Sequence, residues 1–229
     1  MLDLITLRLS HPCKTICEKT ESPDSHDSNH EKKATVGDSV NPQTTITSPT
    51  VESLVCYGIG SVEGSRNAQF QLSLALELKD MLKIESKICI SDPAMTQLDI
   101  EIAKALDMHV LDKDEALPSN IAVDKTVLYF MPHCPKGLYS HILEKNWTRQ
   151  GLNRTVILGN RFSMYHERTI ARQAPFIFPA LAIAEEYTLP LIKFEDNTVF
   201  NDLAIHVFPH HHELPDLDVS EREVDPEML

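Results

Sequence analysis

The sequence predicts an α/β fold: a Rossmann-like, doubly wound and mostly parallel sheet with helices on both faces. Three observations carry this. Four short runs are apolar at nearly every position, namely Leu54–Tyr57, Ile88–Ile90, Val127–Met131 and Val156–Leu158. Such runs suit strands buried on both faces, which means a parallel sheet covered by helices. The segments between them carry apolar residues at helical spacing, and the alternation of strand and helix calls for right-handed crossovers. Each run also stops on glycine or a small polar cluster: Gly58-Ile59-Gly60, Ser91-Asp92-Pro93, Pro132-His133-Cys134 and Gly159-Asn160. That is the sheet edge where ligands bind in open α/β folds.

Taken in order, the first strand ends at Tyr57, and a polar turn over 61–67 leads into a helix over Ala68–Leu82. Phe70, Leu74, Leu78 and Met81 line one stripe of that helix, with Leu72, Ala75 and Leu76 beside it, a broad face for packing on a sheet. The second strand lies at Lys87–Ile90. Thr96 and Asp99 then have the spacing of a capping box, with Leu98, Ile102 and Leu106 following at helical intervals. His109-Val110-Leu111 reads as a third strand and Asp112–Lys125 as a polar connection. Thr126–Met131 is a strand, followed after Pro132 by a helix bearing Leu138, Ile142, Leu143 and Trp147; Thr155–Leu158 is the next strand. Beyond it, Arg161–Ala174 suits a helix, Phe176–Leu181 is an apolar segment, and Phe200–Phe208 suits a last strand.

Composition divides the 229 residues into three. No aromatic residue precedes Tyr57, and residues 1–50 hold 18 Ser, Thr or Pro. Residues 1–51 are therefore expected to be a disordered Ser/Thr/Pro-rich segment, with the α/β domain at 52–208 and a His-containing, acidic, disordered tail at 209–229. The net charge of −13 is uneven: 1–52 carry eight acids and five bases, 213–229 carry seven acids and one base, and −4 remains for 53–212. A near-neutral core without a basic stripe disfavours nucleic acid. No apolar stretch approaches the roughly 20 residues of a membrane span, and Met1–Leu9 lacks the basic start of a signal peptide. Five cysteines without a C-x-x-C, two of them inside expected strands, suit a reduced, cytoplasmic protein, with the nucleus also open to it.

Gly58-x-Gly60 followed by Gly64 is one residue too long for the dinucleotide fingerprint, and Asp92 comes later than a ribose-binding acid would. Methyltransferase-like sheets also open on a glycine turn and place an acid after the second strand. A tight turn that binds nothing has the same composition. The candidate ligand-binding set is Gly58, Gly60, Asp92, His133 and Asn160, with His133 as the acid or base if there is a reaction and Cys134 as a nucleophile if its thiolate were stabilised. Each also has a plain reading: Asp92 as a helix cap, Asn160 in a left-handed turn, His133 bonded to a neighbouring loop. His206, His210, His211 and His212 read as loose surface histidines rather than a metal site, and no metal is expected. Haem ligation through His133, Cys134 or the histidine run lacks a recognised attachment pattern.

Tyr57-Gly58-Ile59-Gly60, Ser91-Asp92-Pro93, Tyr129 through Cys134, Asn146-Trp147, Gly159-Asn160-x-Phe162 and Phe200-Asn201-Asp202 resemble, in that order, the sensitivity-to-red-light-reduced (SRR-like) family. The resemblance covers about 52–208. Ser61, Asp99, Arg161 and Leu203 depart from the residues common there. It implies an intracellular regulator of the clock and light-signalling type, linked in animals to regulation of haem biosynthesis. The expected partners are other proteins, with a nucleotide-like small molecule as candidate ligand and no cofactor singled out. The alternative is a nucleotide- or S-adenosylmethionine-dependent transferase using the strand-end crevice.

Overall fold

In the computed structural model, the described residues are 50–111, 124–168, 174–189, 198–209, 213–215 and 217. The expectations for residues 1–49, for most of the 112–125 connection, for His210, His211 and His212, and for most of the acidic tail lie outside them.

The elements are β1 (Val51–Tyr57), α1 (Arg66–Leu82), β2 (Cys89–Ser91), α2 (Gln97–Ala105), β3 (His109–Val110), β4 (Thr126–Met131), α3 (Lys136–Lys145), α4 (Arg149–Asn153), β5 (Thr155–Asn160), α5 (Phe162–Arg168), α6 (Ile177–Ile183), β6 (Glu185–Thr188) and β7 (Leu203–Val207). Seven strands form one sheet in the order β3-β2-β1-β4-β5-β7-β6. The first five lie parallel, and β7 runs antiparallel to both β5 and β6. A mostly parallel α/β sheet was the expectation, and that is the architecture found.

The pleat divides each central strand between two cores. Leu54 and Cys56 of β1, Leu128 and Phe130 of β4, and Val156 and Leu158 of β5 meet Ala68, Leu72, Leu74, Ala75 and Leu78 of α1 on one face. Val55, Tyr57, Val127, Tyr129, Met131 and Ile157 point the other way, against Tyr139, Ile142 and Leu143 of α3, Leu152 of α4, Phe162 of α5 and Ile177 of α6. Alternation along one strand serves both faces, which is why the runs look continuously apolar. Leu214 and Leu217 also pack against this second core, so the docked chain continues past residue 208.

Local signals fix the helix ends. Ser65 Oγ accepts from Ala68 N at the start of α1. At α2 the expected capping box forms: Thr96 Oγ1 accepts from Asp99 N at 3.2 Å, and Asp99 Oδ2 accepts from Thr96 N at 2.8 Å. Asp99 does more than cap, since its Oδ1 accepts from Glu63 N at 2.9 Å and ties the turn after β1 to α2. Burial works against a charge on Asp99, yet hydrogen bonds from Thr96, Ser61 and Glu63 outweigh it and hold the carboxyl down at about 2.

Several expectations are corrected. The apolar segment Phe176–Leu181 supplies most of α6, and the last strand starts only at Leu203, because Phe200–Asp202 is a turn. Trp147 lies beyond the end of α3 and packs edge-on against Phe176, with ring centroids 5.4 Å apart. The strand β6, Glu185-Glu186-Tyr187-Thr188, was not anticipated: it is short, polar and at the sheet edge, where charge guards against stray pairing. His206 is not a surface residue. It sits in β7, fully buried, stacked on Phe162 with ring centroids 3.9 Å apart.

Candidate functional site

Because β2, β1, β4 and β5 are parallel neighbours, their carboxyl ends share one edge of the sheet. Gly58, Gly60, Asp92, His133 and Asn160 all lie there. They meet as two pairs. Gly60 N donates to Asp92 Oδ2 at 2.8 Å, and His133 N donates to Asn160 Oδ1 at 2.8 Å.

The two glycines differ in what demands them. Both have positive φ, +68° at Gly58 and +80° at Gly60. A Cβ on Gly58 would lie 2.3 Å from Cys134 Sγ, whereas a Cβ on Gly60 would meet only Ala68, at 3.9 Å. Gly58 is thus required by the close approach of the β4 turn, with no ligand needed to explain it. Gly60 leaves open space. Gly64 has neither positive φ nor a close neighbour, so the third position of the glycine pattern constrains nothing.

Asp92 is committed on both oxygens. Besides the bond from Gly60 N, its Oδ1 accepts from Ala94 N at 2.7 Å, closing the turn after β2. Asn160 is more fully engaged still. Its Oδ1 accepts from His133 N, while its Nδ2 donates to Cys134 O at 3.1 Å and to Tyr165 Oη at 3.0 Å. The one amide holds both ends of the His133-Cys134 turn, which lets His133 keep a left-handed φ of +56°. Such a backbone in a residue other than glycine needs surroundings that fix it. Tyr139, on α3, completes the strand ends: its hydroxyl donates to Met131 O and accepts from Asn160 N at 2.8 Å. Gly159 is there because a Cβ would fall 2.5 Å from that hydroxyl.

His133 and Cys134 point apart because of the left-handed turn at His133. Cys134 is buried, with its Sγ donating to Tyr57 O at 3.3 Å. Burial, and then the nearby charge of Asp92, push its thiol well above the ordinary range. It is a protonated packing group at neutral pH, and the nucleophile reading is withdrawn. The His133 ring reaches the 198–202 turn, where Nε2 donates to Val199 O at 3.1 Å. A carbonyl can only accept, so this contact fixes the proton on Nε2 and leaves Nδ1 as the nitrogen able to exchange one.

That 198–202 turn was not among the candidate site residues, although Phe200-Asn201-Asp202 stands among the family motifs. Val199 is fully buried, and its carbonyl also accepts from Gln71 Nε2 of α1 at 3.2 Å. Thr198 Oγ1 accepts from Asn67 Nδ2 at 3.3 Å, and Asp202 O accepts from Arg161 N at 2.9 Å. Gln71 could have been noticed, because it is a polar side chain in the buried stripe that runs through Leu74, Ala75 and Leu78. Tyr139 gave no such signal. Among the described residues, no group of three or more His, Cys, Asp or Glu could hold a metal, and no helix is long and apolar enough to cross a membrane.

Comparison with known proteins returns one family. The SRR1 domain model matches residues 26–207, starting well ahead of residue 52. The Arabidopsis thaliana protein SENSITIVITY TO RED LIGHT REDUCED 1 is 29% identical over 167 residues, which is 70% of this chain and 60% of that protein. An SRR1-like protein of Mus musculus is 32% identical over 129 residues, covering 56% of this chain and 51% of its own length. One of Drosophila melanogaster is 30% identical over 159 residues, covering 69% and 56%. The chain thus spans between half and three-fifths of the length of these relatives.

Proposed function

Because this chain belongs to the SRR1 domain family, we propose that it is an intracellular regulator of the light-signalling and circadian type, linked in animals to haem-biosynthesis regulation. In this reading it acts by binding, through a Rossmann-like domain, and its partners are other proteins. The Arabidopsis relative, named for red-light sensitivity, supports the first half. One observation carries the second. Where an enzyme of this class would present free acids, bases and nucleophiles, both oxygens of Asp92 and the whole amide of Asn160 are engaged in turns, and Cys134 is buried. General acid–base work needs a titratable group within reach of substrate, and of the five candidate residues His133 alone, through its Nδ1 side, offers one. The purified chain is expected to turn over neither nucleotides nor S-adenosylmethionine; turnover that His133→Ala abolishes would overturn the binding reading. Native mass spectrometry of protein purified from cells would show what molecule travels with it.

A specific observation favours a second reading. The strand order is the doubly wound 3-2-1-4-5-6 with a reversed seventh strand slotted between the fifth and sixth, as in methyltransferase-like sheets. A nucleotide- or S-adenosylmethionine-dependent transferase would place Gly58 and Gly60 at the cofactor, Asp92 on a ribose and His133 as acid or base. The likeness is one of fold, and folds host many functions.

Asp92→Ala separates the two. If Asp92 holds the turns, the variant loses two backbone hydrogen bonds to a charged acceptor, about 2–3 kcal/mol together. The melting temperature of the unliganded protein should then fall by roughly 5–10 °C. Under the transferase reading, the unliganded protein melts nearly unchanged and cofactor affinity alone is lost. Thermal unfolding with and without S-adenosylhomocysteine makes the measurement.

A further inference from the structure

We infer that Arg161, His133 and Gln71 form a receptor for a small oxyanion, a carboxylate or phosphate carried by a small molecule, which residues 198–202 now occupy from within the chain. This rests on the reading of the strand-end crevice as a binding site, and it names the chemistry that crevice takes.

The first support is the direction of the hydrogen bonds. Gln71 comes from α1, His133 from the turn after β4 and Arg161 from the end of β5, so three separate elements bring donors to one turn, two through side chains and Arg161 through its backbone N–H. The acceptors all come from a single turn: Val199 O takes Gln71 Nε2 at 3.2 Å and His133 Nε2 at 3.1 Å, while Asp202 O takes Arg161 N at 2.9 Å. Donors converging at the carboxyl ends of parallel strands make a place for an acceptor-bearing ligand.

The second support is that Arg161 is under-satisfied where it stands. Its Nε is buried and has no hydrogen-bond partner among the described residues. Its Nη2 lies 3.8 Å from Asp202 Oδ1, an ion pair beyond hydrogen-bond reach. A buried donor left without an acceptor is costly, and the Nε–Nη2 edge of a guanidinium matches two oxygens of a carboxylate or phosphate side by side. Asp202 is the loose internal stand-in: its side chain is 48% exposed, and among the described residues its Oδ2 is held by Asn201 Nδ2 alone, at 3.1 Å. An arriving anion must displace that carboxylate.

The arrangement predicts opposite effects from two neighbouring substitutions. Asp202→Asn removes the competitor, and asparagine tolerates the left-handed φ of +55° at this position. Arg161→Gln removes the receptor. In two-dimensional NMR of the full chain, sodium phosphate and sodium acetate, each titrated against sodium chloride at constant ionic strength, should shift the Arg161 Nε–Hε signal saturably. The backbone amides of Val199 to Asp202 should move with it. Asp202→Asn should lower the half-saturating concentration about threefold, the equivalent of one surface ion pair. Arg161→Gln should leave those amides unmoved. A response to phosphate alone assigns a phosphate ligand, and a response to acetate alone a carboxylate. If neither anion does more than chloride, or if Asp202→Asn binds no more tightly than wild type, the receptor is refuted. S-adenosylhomocysteine and adenosine, followed at the amides of Gly58 to Ser61, keep the two ideas apart. A response there without an anion response at Arg161 leaves the crevice as a binding site and removes the receptor; silence in both removes both.

Discussion

Gly58→Ala is expected to cost about 2–5 kcal/mol and to lower the melting temperature by roughly 5–15 °C. Two separate penalties add. The backbone at Gly58 has φ +68°, which charges any L-residue about 1–2 kcal/mol. The new Cβ would also sit 2.3 Å from Cys134 Sγ. That sulfur cannot simply turn aside, because it is buried and donates to Tyr57 O at 3.3 Å. Overpacking of this kind typically costs about 1–3 kcal/mol. Against a total stability of about 5–15 kcal/mol, the sum is a large fraction. The pair Gly58→Ala with Cys134→Ala dissects it: the double variant should recover the clash but not the backbone penalty, giving a clear positive coupling in a double-mutant cycle. Urea unfolding of the four proteins is the measurement. If Gly58→Ala proves harmless to folding and instead weakens binding of a ligand, the glycine serves a ligand's approach and the packing account is wrong.

How much of this was legible follows from the range of each interaction. The strand runs could be read because almost every position of β1, β4 and β5 is buried, so no face contributes polar residues to obscure them. The capping box at Thr96 and Asp99 spans three residues and needs nothing from the rest of the fold. The meeting of the motifs at one sheet edge was also legible, since parallel strands bring their carboxyl ends together. Which atoms those motifs use up was not. Asp92 reaches Gly60 across 32 residues and Asn160 reaches His133 across 27, and the choice between gripping a turn and gripping a ligand is made by the neighbour's position, which no local pattern encodes. The β6–β7 hairpin was hidden for the opposite reason. Glu185, Glu186 and Thr188 look like loop residues until β7 is there to pair with them. His206 was misread because it stands close to three consecutive histidines, although Leu203, Ala204 and Ile205 before it are as buried as any core strand.

That misreading leads to the other large effect. Glu186, on the edge strand, faces His206 Nε2 at 3.0 Å, and its Oε2 also accepts from Ser163 N at 3.1 Å. The other ring nitrogen of His206 faces Ile157 O at 3.3 Å. The Phe162 backbone N–H also approaches Nε2, at 3.4 Å, so the buried ring is surrounded by polar partners on both nitrogens. Burial opposes the charge on Glu186, but the hydrogen bonds from His206 and Ser163 outweigh it and hold the carboxyl at about 2. Because the folded state lowers this pKa below its unfolded value, the stabilisation is complete above about pH 4.5 and disappears as the pH falls towards 2. Glu186→Ala removes the carboxylate that faces the fully buried His206 ring and accepts from Ser163 N, and leaving buried polar groups without that partner costs about 1–3 kcal/mol. Glu186→Gln keeps a hydrogen-bond acceptor and should lose less. The diagnostic quantity is the stability difference between wild type and Glu186→Gln, measured by denaturant unfolding across the acid range. It should shrink steadily below pH 4.5, even though Asp99 and other carboxyls titrate there, because those groups are common to both proteins. A difference that stays constant down to about pH 2.5 would mean that Glu186 ionises as it does in the unfolded chain, and the buried pair would then be a neutral hydrogen bond with no electrostatic share in holding β6 to β7.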